Sequence, residues 1–259
     1  MCRAIADGGR RCSDARRLSK LTAAQLAPTT PGAPTLEWAD SDLSTVWAQY
    51  PQETACAAVK TIEDASTADA RTYTDMDTAA TAAGGHLHGT AFRLKSPASL
   101  ARKINTKQER AETAGIATTA EHIAATITDA TRYTTVCSHH DQIADTTVAT
   151  MATLRAHGWE LIEAEQSYVE GNPYKGVHLL VKHSDGQVAE LQIHSQTSQQ
   201  IKDQSHLLYE VSRDTTRSRA ERLAADRQGK ELYEQLPAPP GLDSLSERLG
   251  FTVRKKRYS

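Results

Sequence analysis

The segment from Trp159 to His194 constrains the fold more than any other. Two runs of alternating apolar and polar residues, Val177 to Lys182 and Val188 to His194, flank Ser184-Asp185-Gly186. Asp-Gly between such runs marks a tight hairpin, because its central positions accept the positive φ that a two-stranded turn needs. A third strand candidate, Trp159 to Val169, precedes the pair. Helical patterns surround this antiparallel unit. Ser41 is placed to cap a helix carrying Leu43, Val46, Trp47 and Tyr50, and Gly84-Gly85 ends the Ala/Thr/Asp-rich stretch that follows. Thr90 to Lys95 reads as a short strand, Pro97 as the start of a helix buried on Leu100 and Ile104, and Thr118 to Ile127 as a helix leading into a strand at Thr131 to Cys137. Ile143, Val148, Met151 and Leu154 form a helical stripe that Gly158 terminates, and two helices, about Thr197 to Ser212 and Thr215 to Leu236, follow the hairpin. Interleaved helices and strands with a hairpin inside predict an α/β (α+β) fold, a mixed β-sheet flanked by helices.

Charge excludes one class of function. With 30 Lys+Arg against 32 Asp+Glu the chain is almost neutral, which argues against a generic nucleic-acid coat. No run reaches the roughly 18–20 apolar residues that span a bilayer, and Met1 to Lys20 has no apolar signal core, so a cytoplasmic protein with no membrane partner is expected. Cys2, Cys12, Cys56 and Cys137 show no CxxC spacing, and reduced thiols are the default.

Within this neutral chain, Phe92 to Arg110 carries Arg93, Lys95, Arg102, Lys103, Lys107 and Arg110 against one acid, Glu109. Arg93 and Lys95 share a face of a strand, and Ser99 and Lys103 share a face of the following helix. Such a junction suits a polyphosphate, since guanidinium and ammonium groups neutralise phosphate oxygens while a helix N-terminus offers free N–H groups. A solvated basic helix face has the same composition. Asp129 stands before the Thr131 strand, and Glu190 shares a strand face with Val188, Gln192 and His194. Two carboxylates near a phosphate cradle make a natural Mg²⁺ site, although an ordinary polar strand face has the same spacing.

Four blocks occur in order: Arg93-Leu-Lys95-Ser-Pro-Ala-Ser99-Leu-Ala-Arg102-Lys103, Ile127-Thr-Asp129-Ala-Thr-Arg132-Tyr133, Asn172-Pro-Tyr174-Lys-Gly-Val-His178 and Glu190-Leu-Gln192-Ile-His194. Together they resemble the RelA/SpoT synthetase family, the alarmone synthetases of nucleotidyltransferase-like fold. The resemblance spans about residues 89–213 and sorts the chain into a basic arm and linker (1–37), a helical extension (38–88), a synthetase-like domain (89–236) and a basic tail (237–259). It implies that Arg93, Lys95, Ser99, Arg102 and Lys103 hold the phosphates of ATP. Asp129 and Glu190 would bind Mg²⁺, and Glu190 would accept the proton of an acceptor 3′-hydroxyl as the β,γ-pyrophosphate is transferred. Tyr174 would stack on the acceptor base, with Asn172, His178 and Gln192 beside it. Downstream, Lys202, His206 and Arg213 resemble a helix that faces the site in toxin-like small members, which implies a growth-inhibiting enzyme and an antitoxin or immunity protein as partner.

The loop Tyr168-Val-Glu170-Gly-Asn172-Pro-Tyr174 is shorter than the family's and carries Glu170 near the place of a lysine. The acceptor therefore stays open between GDP or GTP, an adenosine nucleotide and the 3′-terminal adenosine of tRNA. A catalytically inactive nucleotide- or RNA-binding regulator is the alternative from another class, and Arg254 to Arg257 is a candidate RNA contact. His140-Asp141 reads as a helix start, His86 and His88 with Cys2 and Cys12 lack paired zinc spacing, and there is no Walker A loop.

Overall fold

The computed structural model describes residues 14–258, so Cys2, Cys12 and the first three arginines of the basic arm lie outside the described residues. The chain forms two compact units: residues up to Ala70 with Leu94–Ala130, and Arg71–Arg93 with the chain from Thr131 onward.

The first unit is helical. It holds α1 (Ala15–Leu18), α2 (Ala23–Leu26), α3 (Ser44–Gln49), the first part of α4 (Gln52–Ala82), α5 (Pro97–Thr113) and α6 (Ala120–Ala125). Leu18, Leu26, Val46, Val59, Ile62, Leu100 and Ile104 are buried in one cluster. Buried Leu18 and Leu26 show that the arm and linker, from Asp14 on, are folded into this core. Asp42, in place of the expected Ser41, accepts the Ser44 N–H at the start of α3. Ser96 caps α5 by accepting the Ser99 N–H at 3.2 Å, with Pro97 at the first helical position.

The second unit is a six-stranded mixed sheet, ordered β1-β2-β5-β4-β3-β6. Its strands are β1 (His86–His88), β2 (Arg132–Cys137), β3 (Trp159–Gln166), β4 (Val177–His183), β5 (Val188–Ser195) and β6 (Arg254–Lys255), with helices α7 (Ile143–Ala156), α8 (Gln196–Arg213), α9 (Arg219–Glu234) and α10 (Leu245–Leu249). The β4–β5 hairpin turns as predicted, with Gly186 at φ +99°. Gly84 at φ +73° terminates α4. One sheet face is apolar: Tyr133, Val177, Leu179, Val181, Leu191 and Ile193 are buried with Met76, Ala79, Ile143 and Met151. Inside this unit Asp75 is buried and accepts hydrogen bonds from Trp159 Nε1 at 2.9 Å and His157 Nδ1 at 2.8 Å.

Three further expectations change. Thr90 to Phe92 is a 3₁₀ turn and not a strand, so the shared strand face of Arg93 and Lys95 does not form. The basic tail is built into the sheet: β6 pairs in parallel with β3, Arg254 bridges Glu163 and Glu165, and Lys256 bridges Glu165 at 2.6 Å. Cys137 is free and buried, whereas Cys56 is disulfide-bonded, in contrast to the reduced thiol expected there. Among the described residues no helix is long and apolar enough to cross a membrane.

Replacing Asp75 by Ala strands the buried Trp159 N–H, and an unsatisfied buried donor costs about 1–3 kcal/mol. Urea unfolding of Asp75→Ala is expected to show a loss of that size.

Candidate functional site

Parallel pairing of β2 with β5 sets Arg132 opposite Glu190 and Thr134 opposite Gln192, while antiparallel β4 sets His178 opposite Gln192. These side chains share the sheet face that is not apolar. Glu190 Oε1 accepts a hydrogen bond from Gln192 Nε2 at 2.6 Å and lies 3.2 Å from His178 Nδ1. Burial pushes the Glu190 carboxyl up, but the hydrogen bond and charge of His178, with the Gln192 hydrogen bond, outweigh it and hold the group at about 2. The carboxylate is therefore ionised at neutral pH while largely shielded from water.

A cavity of about 630 Å³, within the roughly 300–1,000 Å³ typical of small-molecule sites, is lined by Arg132, the cross-strand partner of Glu190, and by Lys202, which bonds Gln192; Glu190 itself is not part of the lining. Aromatic rings of Phe92, Tyr174, Tyr209 and Tyr233 line it together with the nitrogen-bearing side chains of His88, Arg132, Lys202 and His206. Lys202 Nζ donates to Gln192 Oε1 at 2.7 Å. Burial, helped by the charge of Arg132, pulls its ammonium down to about 8. The carboxylates of Asp203 and Asp226 also line the cavity, and its flat aromatic faces with Arg132 and Lys202 suit a planar ligand carrying phosphate, such as a nucleotide.

In the first unit, Asp129 is clasped by two ammonium groups, Lys103 Nζ at 2.7 Å and Lys95 Nζ at 3.2 Å. Burial raises the carboxyl, but the Lys103 hydrogen bond and the charges of Lys95 and Lys103 outweigh it and leave the group below its ordinary value. Ser99 sits in the first turn of α5, and Arg102 on the same helix is exposed.

Of the residues anticipated from sequence, Lys95, Lys103 and Asp129 come together in the first unit, and Tyr174, His178, Glu190, Gln192, Lys202 and His206 in the second. Arg93 belongs to the second unit, 1% exposed, its guanidinium 5.7 Å from the Tyr73 ring centroid. Asn172 is buried and turned to its own loop: Nδ2 donates to the Ser167 and Lys256 carbonyls at 2.9 and 2.8 Å, and Oδ1 accepts the Tyr258 N–H. Arg213 donates to Tyr209 Oη at 2.7 Å at the end of α8 and does not line the cavity. Sequence reasoning missed Arg132, His88, Tyr209, Tyr233 and His194. Arg132 was open to detection: it lies three residues past Asp129, on the strand predicted to enter the site.

The two candidate Mg²⁺ ligands are both ionised carboxylates, the donor chemistry that Mg²⁺ takes in ones or twos with phosphate oxygens and water. Glu190 Oε2 has no hydrogen bond among the described residues, whereas both oxygens of Asp129 are engaged by lysine. Among the described residues no group of three or more His, Cys, Asp or Glu forms a metal cluster.

Small alarmone synthetase 1 from Bacillus subtilis resembles the chain at 17% identity and a TM-score of 0.42, over 70% of this chain and 87% of its own. The type VI effector Tas1, solved in complex with its immunity protein, matches at 18% identity and TM-score 0.41, over 72% of this chain and 97% of its own. Small alarmone synthetase 2 from Bacillus subtilis matches at 15% and 0.41, over 67% and 89%. The chain is similar to small alarmone synthetases. No family model and no curated protein matches it.

Because the folded Glu190 carboxyl titrates near 2, below its ordinary 4.5, its contribution to stability is fully present above 4.5 and is lost as pH falls towards 2. The stability gap between wild type and Glu190→Gln is expected to shrink by on the order of 2 kcal/mol across that window, read from denaturant curves at stepped pH.

Proposed function

We propose that the chain is a pyrophosphokinase of the RelA/SpoT synthetase family, moving the β,γ-pyrophosphate of ATP to the 3′-hydroxyl of a purine nucleotide and releasing AMP. The observation that supports this reading best is the ionised, shielded carboxylate of Glu190 paired across the sheet with Arg132, which lines an aromatic cavity of nucleotide size together with Lys202. In this reading the acceptor base lies against the Tyr174 ring, and Arg132, Lys202 and His206 meet its phosphates. Glu190 accepts the proton of the 3′-hydroxyl, whose oxygen attacks the β-phosphorus as the bond to AMP breaks.

Lys95 and Lys103 hold the phosphates of ATP. Their ammonium groups exchange part of their hold on Asp129 for phosphate oxygens, so that charge on the transferring group is met by groups already in place. Asp129 in the first unit and Glu190 in the second are each a carboxylate that would serve as a Mg²⁺ ligand, and when bound the ion supplies further neutralisation of the phosphate chain. A growth-arresting role and a blocking immunity partner belong to the same proposal. The tail cations that made tRNA an attractive acceptor are largely occupied by β3 and Asp243, which favours a free nucleotide.

The test is a thin-layer separation of products from γ-³²P-ATP with Mg²⁺ and GDP, GTP, AMP, ADP, ATP or bulk tRNA. Label in a nucleotide spot is the expected outcome, label on the tRNA 3′ end supports tRNA as acceptor, and no transfer to any acceptor leaves the binding regulator. Glu190→Gln and Asp129→Asn are each expected to lower AMP release by about a hundredfold or more. Lys103→Ala is expected to raise the KM for ATP about tenfold with little change in acceptor KM, measured by initial rates. Expression of the wild type should arrest bacterial growth, and Glu190→Ala should relieve it.

A further inference from the structure

Glu190 is the end point of two chains of hydrogen bonds, and the donors in both point towards it. One is short. An ammonium has only donors, so Lys202 must meet the oxygen of Gln192, and the Gln192 NH₂ must then face Glu190 Oε1.

The other chain runs through three rings. His178 Nδ1 lies 3.2 Å from Glu190 Oε1, and its Nε2 lies 2.8 Å from Tyr174 Oη. Tyr174 Oη lies 2.8 Å from His194 Nε2, and His194 Nδ1 lies 3.1 Å from Ser198 Oγ. An ionised carboxylate only accepts, so His178 carries its proton on Nδ1. With a single proton on the ring, the form that the alkaline-pH test below reads, Nε2 is an acceptor, which only the Tyr174 O–H can serve. The Tyr174 oxygen in turn accepts from His194, whose proton sits on Nε2, leaving Nδ1 to accept from Ser198. His194 is fully buried, and that burial pulls it well below its ordinary value, so it is neutral. Each step therefore determines the next.

The spacing of the chain depends on a residue that belongs to none of its groups. A Cβ at Gly176 would lie 2.6 Å from Tyr174 Oη and 2.9 Å from His194 Cε1, closer than real Cβ atoms come, so only glycine lets the tyrosine and histidine meet.

We propose that the Tyr174 hydroxyl is a positioning group: through His178 it locks the orientation of Glu190, with Oε1 engaged by both chains and Oε2 left for the chemistry. This rests on the pyrophosphokinase reading for the role of Glu190, and it gives Tyr174 a task separate from any contact of its ring with an acceptor base. Aligned donors strengthen one another in a low-dielectric interior, so loss of one link loosens the others.

The test separates hydroxyl from ring. Long-range ¹H–¹⁵N spectra of the histidine rings in the ligand-free full chain, at mildly alkaline pH, should show His178 as the Nδ1–H tautomer and His194 as the Nε2–H tautomer. Tyr174→Phe keeps the ring and should abolish the single-tautomer signature of His178. It should also lower kcat tenfold or more while the acceptor KM stays within about threefold. Gly176→Ala, which leaves every member of the chain chemically intact, should have the same two effects. An Nε2–H tautomer at His178 or Nδ1–H at His194 in the wild type would overturn the proposal. So would a Tyr174→Phe variant with unchanged kcat, or one that changes acceptor KM alone. If the wild type transfers pyrophosphate to no acceptor, the pyrophosphokinase reading fails, and the wild-type spectrum still decides whether the chain exists.

Discussion

Parallel pairing of β2 with β5 is the constraint from which the second unit's chemistry follows. A parallel ladder in mid-sheet is buried on both faces, so a strand that enters it must satisfy two environments at once. β5 does so by alternation. Ala189, Leu191 and Ile193 supply an apolar face, while on the other face Gln192 and His194 are buried and Glu190 is partly so. Polar atoms placed there have to find partners, and the register determines which partners are near: Arg132 and Thr134 from β2, His178 from β4. The ionised carboxylate exists because the ladder places donors where water would otherwise be.

The helical unit uses a simpler device. Asp129 is half-shielded and compensated by two lysines, one ahead of α5 and one a turn and a half inside it. An ion cluster of this kind is exchangeable in a way the Glu190 network is not. Its cations sit on flexible stems and can turn to a phosphate, whereas Gln192, His178 and Tyr174 are held by rings and backbone on several sides. The two units thus present opposite kinds of electrostatics, one adaptable and one preorganised.

Much of this was legible from residues. The Asp185-Gly186 turn, the Ser96-Pro97 helix start and the Gly84 and Gly158 stops all act locally, through φ preferences and orphan N–H groups, and a sequence displays such signals openly. Four family blocks and the helix downstream of them pointed to nine residues that the structure gathers, unit by unit, into two clusters. What stayed hidden depends on contacts distant in the chain. Thr90 to Lys95 has the composition of a strand but forms no ladder: after the 3₁₀ turn, the Arg93 carbonyl accepts the Arg132 N–H and the Lys95 N–H bonds the Ala130 carbonyl. Asn172 looked like a ligand because it neighbours Tyr174, yet its amide is consumed by the Ser167 and Lys256 carbonyls. His194 reads as the outer end of an alternating strand, and only α8 and the Tyr174 loop make it a buried ring.

Placing β6 against β3 has a consequence for association between molecules. A sheet edge offers unpaired N–H and C=O groups on which another chain can grow. Here each outermost strand is short: β1 has three residues, two of them histidine, and β6 is a two-residue Arg-Lys step whose neighbour Lys256 donates its N–H to the Gln166 carbonyl. Next to β6, the longer β3 carries exposed Ile162 among its residues. Removal of the segment beyond Gly250 would leave β3 as a bare, partly apolar margin and invite strand-to-strand aggregation, so the basic residues once read as a handle for RNA serve the fold as a guard on its rim.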